Sequence, residues 1–102
     1  MIHVVVRITA KKGYGGELVE AYKGLLPQVR AEAGCIAYAP AVDVVTDIDH
    51  QEPVDPDAVT IVERWETIDH LKAHVTAAHM TEFRSKNGHL IEAADIRILE
   101  EA

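Results

Sequence analysis

Cysteine is almost absent from these 102 residues: Cys35 stands alone, which excludes an intrachain disulfide and a thiolate metal cluster. Serine is as scarce. Ser85 has no Gly-x-Ser-x-Gly around it, so a serine hydrolase is excluded. Positive charge is in short supply, with ten Lys and Arg against seventeen Asp and Glu, and no basic cluster is interleaved with aromatic residues. That balance argues against nucleic acid and against anionic membrane surfaces as partners. No apolar run approaches membrane-spanning length. The opening Met-Ile-His-Val-Val-Val-Arg stops at Arg7 and has neither a basic leader nor a small-residue cleavage site, so it does not read as a signal peptide and a cytoplasmic location is expected. Repeats and low-complexity tracts are missing as well.

What is present is a 48% hydrophobic chain of one-domain size, so residues 1–102 are expected to form a single domain. Ile2–Ala10 alternates, with Ile2, Val4, Val6 and Ile8 on one face and His3, Val5, Arg7 and Thr9 on the other, as a half-buried strand does. Lys11–Gly16 is a glycine-rich turn. Glu17–Ala33 carries Leu18, Tyr22, Leu25, Leu26 and Val29 at helical spacing; Pro27 predicts a kink or early break, and Gly34 the C-terminal stop. Cys35–Val45 reads as a second strand, with Pro40 requiring a sheet edge or a bulge. Asp43–Asp57 holds six acids and no cation, a solvated loop. Ala58–Trp65 is a third strand, Ile68 onward a second helix stopped by Gly88, and Leu90–Leu99 a last strand. The order β-α-β-β-α-β predicts an α+β ferredoxin-like sandwich, a four-stranded antiparallel sheet with both helices on one face. The other face, mixed rather than polar, calls for a second copy of the chain packed sheet against sheet.

The chemistry concentrates in Val59–Phe83. Val59, Ile61, Glu63 and Trp65 share one strand face, so an apolar inward face ends in a carboxylate and the only Trp. Thr67 can cap the helix that follows, and that helix carries His70, His74 and His79. On a single helical wheel His79 joins the apolar stripe of Ile68, Leu71, Val75 and Phe83, while His70 and His74 lie on the flank. A carboxylate and imidazoles around an apolar pocket can take a proton from a phenol-like substrate, since burial moves both toward neutral pKa. Packing alone also accounts for the same residues: a core Trp, an edge carboxylate and a satisfied histidine.

Other chemistries fit less well. His70 and His74 have the i, i+4 spacing of zinc ligands, but Leu71 breaks the His-Glu-x-x-His pattern and no metal is expected there. Gly13-Tyr14-Gly15-Gly16 lies between strand and helix, yet lacks the third glycine of a dinucleotide fingerprint and the Lys-Ser/Thr of a phosphate loop. No cofactor motif is visible. Cys35 reads as a small buried hydrophobe.

Several segments resemble the antibiotic biosynthesis monooxygenase superfamily: Glu32–Pro40, Val62–His74, His79-Met80 and Asp95–Leu99, within a pattern Glu-x-Trp-Glu-(Ser/Thr)…Leu-x-x-His…His-Met. The nearest likeness is to the bacterial quinol monooxygenase branch, and the acidic Thr46–Asp57 loop is the least alike. The resemblance implies a dimeric α/β-barrel-type assembly with paired sheets and a pocket between helices and sheet. It further implies oxidation of a quinol or similar hydroxylated aromatic by O₂ with no cofactor. On that reading Glu63, His74 and His79 are the candidate bases, and Trp65 (a stacking wall), Tyr38, Leu71, Met80 and Phe83 line the substrate site. Ile61 stands where related anthrone oxygenases resemble one another in an Asn. Val6 and His74 stand where haem-degrading members have Asn and a second Trp, which argues against haem degradation. An autoinducer-2 phosphate isomerase-like branch shares the His and Trp positions, so isomerisation of a small carbonyl compound stays open, as does a non-catalytic binding or stress protein of the same fold.

Overall fold

The computed structural model describes every residue, Met1–Ala102. Its elements are β1 (Ile2–Ala10), α1 (Gly15–Arg30), β2 (Cys35–Ala41), β3 (Ala58–Trp65), α2 (Ile68–Val75), α3 (Ala78–Asn87) and β4 (Ile91–Leu99), with a short 3₁₀ turn at Gly88–Leu90 before β4. The four strands form one antiparallel sheet in the order β2-β3-β1-β4, the ferredoxin-like arrangement. β2 is an edge strand, as Pro40 requires, and its pairing with β3 shifts register between Cys35 and Ala37.

Register explains the core. Ile2, Val4, Val6 and Ile8 of β1 stand opposite Trp65, Glu63, Ile61 and Val59 of β3, so both inward faces coincide under the helices. Tyr38 of β2 flanks Glu63 from the other side. Leu18, Tyr22, Leu25 and Val29 of α1 close the layer, with Leu71, Met80 and Phe83 from the later helices. On the opposite face Val5, Val62 and Arg97 are neighbours and no helix covers them; Val62 is 46% exposed. No helix is long and apolar enough to cross a membrane.

Four local expectations need correction. α1 runs unbroken through Pro27, because the carbonyl that loses its partner, Lys23, lies on the exposed side where water can take it. It ends at Arg30 with Ala31 as its cap, and Gly34 (φ +78) serves the turn that follows. A Cβ there would collide with the His70 ring. β2 stops at Ala41 rather than Val45, since Asp43 leaves the ladder to form a two-nitrogen ion pair with Arg7 while Asp43 Oδ2 also accepts from the Asp55 N–H. That carboxyl is held down at about 2 by the Arg7 hydrogen bonds. The His-bearing helix is two helices. Thr76 Oγ1 donates back to the carbonyls of Lys72 and Ala73, ending α2, and Ala77 is extended before α3 restarts.

The glycine turn also has an occupant. The Asp57 carboxylate accepts from the N–H groups of Gly13 and Gly15 at the head of α1, at 3.1 and 3.0 Å, so these two donors of the turn are already satisfied within the chain. A Cβ on Gly15 would come within 2.6 Å of Pro56 O, so glycine is required by this approach.

Candidate functional site

β3 delivers Glu63 and Trp65 two residues apart on the same face, and Glu63 Oε1 accepts the indole N–H at 2.9 Å. Both are buried, Trp65 completely. Burial pushes the Glu63 carboxyl above the usual range; the Trp65 hydrogen bond and His74 pull the other way, and Glu32 adds to the rise. Thr67 caps α2 by accepting from the His70 N–H, as its position suggests. The helix so started carries Leu71 and His74 inward, and the His74 ring lies on Trp65 with centroids 4.7 Å apart and edge-on to Tyr38 at 5.5 Å.

The single helical wheel therefore misassigned the histidines. His74, placed on the flank, is 4% exposed and in the core. His79, placed on the apolar stripe, belongs to α3, whose axis restarts at Ala78, and it turns away from the core centre. His70 does not meet His74: its ring bonds Thr67 at 2.8 Å beside Gly34.

What joins His74 to His79 is Glu32, in the turn after α1. Glu32 Oε2 lies 2.8 Å from His74 Nδ1 and 2.9 Å from His79 Nε2. An ionised carboxylate oxygen has no proton to give, so both imidazole nitrogens donate to it. That fixes the tautomers. His74 carries its proton on Nδ1, and its Nε2, 4.0 Å from Glu63 Oε1, presents a lone pair. Glu32 belongs to the family-like segment, but nothing in periodicity or spacing pointed to it; its partners lie 42 and 47 positions away.

A cavity of about 260 Å³ lies between the sheet and the later helices, near the lower limit of ligand pockets at roughly 300 Å³. Glu63 and His74 form its polar wall, and Tyr38, Leu71, Met80 and Phe83 are among its apolar lining, so six of the eight expected site residues meet there. Val6, Ile8 and Ile96 of the sheet line it too. The tyrosyl hydroxyls of Tyr22 and Tyr38 are both pushed up by burial, that of Tyr22 to about 12, so they stay protonated. Trp65 and His79 do not line the cavity. Trp65 is sealed behind His74 and cannot stack on a ligand there; His79 lines a separate groove between α1 and α3. Arg84 reaches the cavity wall and donates to Val75 O at 2.7 Å, whereas Arg64 faces the uncovered side of the sheet beside His3.

The family model for antibiotic biosynthesis monooxygenases matches residues 1–86. The chain belongs to that family. The Escherichia coli K12 protein named "Probable quinol monooxygenase YgiN" is similar to it, 32% identical over 103 residues, covering 98% of this chain and 97% of its own. The solved structure of PA3566 from Pseudomonas aeruginosa is 26% identical with a TM-score of 0.81, over 99% of this chain and 93% of that one. SO0527 from Shewanella oneidensis is 27% identical with a TM-score of 0.79, over 96% and 87%. Membership and the quinol monooxygenase relative support a monooxygenase-type function, for which the buried Glu63–His74 wall is the candidate active site.

Proposed function

We propose that this chain oxidises a quinol or similar hydroxylated aromatic with O₂, with His74 as the base. The observation that carries the reading is the apolar cavity whose polar wall is a carboxylate and an imidazole of fixed tautomer. A substrate hydroxyl seated between Glu63 and His74 donates to the lone pair on His74 Nε2. Glu32, already accepting from Nδ1–H, stabilises the imidazolium that forms, as the buried acid of a hydrolase triad does. The deprotonated quinol is electron-rich enough to reduce O₂ itself, so the protein binds, orients, takes a proton and excludes water. The balance is quinol plus O₂ to hydroxyquinone plus water: one oxygen atom enters the ring, the other leaves as water, and the substrate supplies all the electrons. A second copy of the chain on the Val5, Val62 and Arg97 face would complete the assembly as a homodimer. Oxygen uptake by the metal-stripped protein with reduced naphthoquinols tests the reading. Uptake that saturates with quinol and collapses in His74→Phe supports it; a rate equal to autoxidation across the panel refutes it.

One observation favours a second reading. Arg84 at the cavity wall could hold a phosphate, which fits an isomerase of a small phosphorylated carbonyl compound using the same base. Turnover of such compounds that is lost in Arg84→Met, alongside quinol oxidation at background, would select it.

A further inference from the structure

Glu32, His74 and His79 come from three separate elements, the turn after α1, then α2 and α3, and bring three ligand atoms within 4.8 Å of one another. We infer that they form a site for one first-row divalent cation of the zinc or cobalt type, and that filling it takes the cavity base out of use.

The donor set is two imidazoles and one carboxylate, which suits zinc, cobalt or nickel and not magnesium or calcium. An ion about 2.0–2.2 Å from each donor needs neighbouring donors roughly 3.0–3.5 Å apart. Glu32 Oε2 already stands 2.8 and 2.9 Å from the two nitrogens and backs out by a few tenths of an ångström, while the imidazole nitrogens, the widest pair at up to 4.8 Å, close by about an ångström or more through rotation of the His79 side chain, the more exposed of the two. Access exists on one side only. The His74 side chain is 5% exposed, while those of Glu32 and His79 are 13% and 20% exposed. His79 lines the groove of about 280 Å³ between α1 and α3, from which the ion enters and from which water fills its open positions. The ordering shell is present as well: the Trp65 ring backs His74 and fixes its orientation.

The consequence follows from the proton. In the metal-free protein His74 donates from Nδ1 to Glu32 and offers the Nε2 lone pair to the cavity. An ion on Nδ1 needs a lone pair on that nitrogen, so the ring proton moves from Nδ1 to Nε2, where it points at Glu63 Oε1. Glu63 then becomes the carboxylate partner of a metal-bound imidazole, and the cavity loses its acceptor. The positive charge is offset locally by two carboxylates. The ion enters no bond-making step; it withholds the base.

The test uses the full chain, stripped by chelation and titrated with cobalt(II) chloride and then zinc chloride. The expected result is one equivalent of cobalt bound with visible ligand-field absorption, displaced by zinc. Affinity should fall at least 10-fold in His79→Ala and in Glu32→Gln and stay within twofold in His70→Ala. In zinc-loaded protein the nitrogen-15 shifts of the His74 ring should show its proton moved from Nδ1 to Nε2. His79 is the most exposed of the three, so His79→Ala retains the fold even if Glu32→Gln does not. Absence of binding, or equal binding in His79→Ala, overturns the site. A separate arm rests on the proposed oxygenase reaction: zinc should suppress oxygen uptake in the wild type, and the suppression, relative to each protein's own metal-free rate, should weaken at least 10-fold in concentration in His79→Ala. Zinc bound at full occupancy with the rate unchanged overturns the link to the base. No uptake even without metal refutes the oxygenase reading and leaves the binding result standing.

Discussion

Replacing Trp65 with Phe separates the two things this side chain does, filling the core and holding the charge on Glu63. Packing loss is the smaller part of a Trp→Ala deletion, about 1–2 kcal/mol, because Phe fills most of the space. Loss of the indole N–H from the buried carboxylate, where that carboxylate is ionised, adds about 1.5–3 kcal/mol, so the total there is about 2.5–5 kcal/mol. The second part depends on pH and the first does not. Burial raises the folded-state pKa of Glu63, so its contribution to stability is fully present below the unfolded value and is lost as pH rises through the folded one. Without the indole the folded pKa rises further, and the variant goes on losing stability after the wild type has stopped. The gap between the two proteins should therefore stay flat at low pH and widen only as pH rises through the raised folded-state pKa of wild-type Glu63, above the usual carboxylate range, by about 1–1.5 kcal/mol, the difference between a hydrogen bond to a charged and to a neutral acceptor. Urea unfolding followed by far-ultraviolet circular dichroism at several pH values measures it, since Trp65 is the only Trp and its fluorescence goes with it. In a Glu63→Gln background the gap should stay flat. A pH-independent gap in the wild-type background would refute the reasoning and reduce Trp65 to packing.

Three other outcomes are expected. Glu32→Gln should lower kcat about 10–100-fold with KM within about threefold, because it frees the His74 tautomer without touching the cavity wall; stopped-flow oxygen uptake measures this. Gly34→Ala should cost at least about 1–2 kcal/mol in thermal or urea unfolding, since the residue sits at φ +78 and its Cβ would displace the His70 ring. Asp43→Asn should loosen the Asp43–Asp57 loop, seen as faster proteolysis within it, while global stability falls by about 1 kcal/mol, the upper range for an ion pair at the surface, as befits a part-buried one.

The strands were legible because each is half-buried: alternation in Ile2–Ala10 and Val59–Trp65 correctly set which residues face the helices, including the unexpected Glu63. The uncovered sheet face was legible for the same reason, since Val5 and Val62 interrupt what would otherwise be a polar surface. The histidines were misplaced because wheel geometry assumes one axis. Thr76 folding its hydroxyl back on α2 resets that axis, and a β-branched pair, Val75-Thr76, was the only local hint. Glu32 escaped notice because it sits in an irregular turn, where no period applies and function is set by contacts far along the chain. Trp65 was read correctly as inward but given the wrong neighbour, a ligand instead of His74.

The most direct test of the central claim is to run the reaction under isotopically labelled dioxygen, ¹⁸O₂, with metal-stripped protein and a reduced naphthoquinol, and to weigh the product. One labelled oxygen atom per hydroxyquinone is expected, with no accumulating peroxide and with loss of the labelled product in His74→Phe. Unlabelled quinone with one peroxide per turnover, or the same yield in His74→Phe, would contradict it.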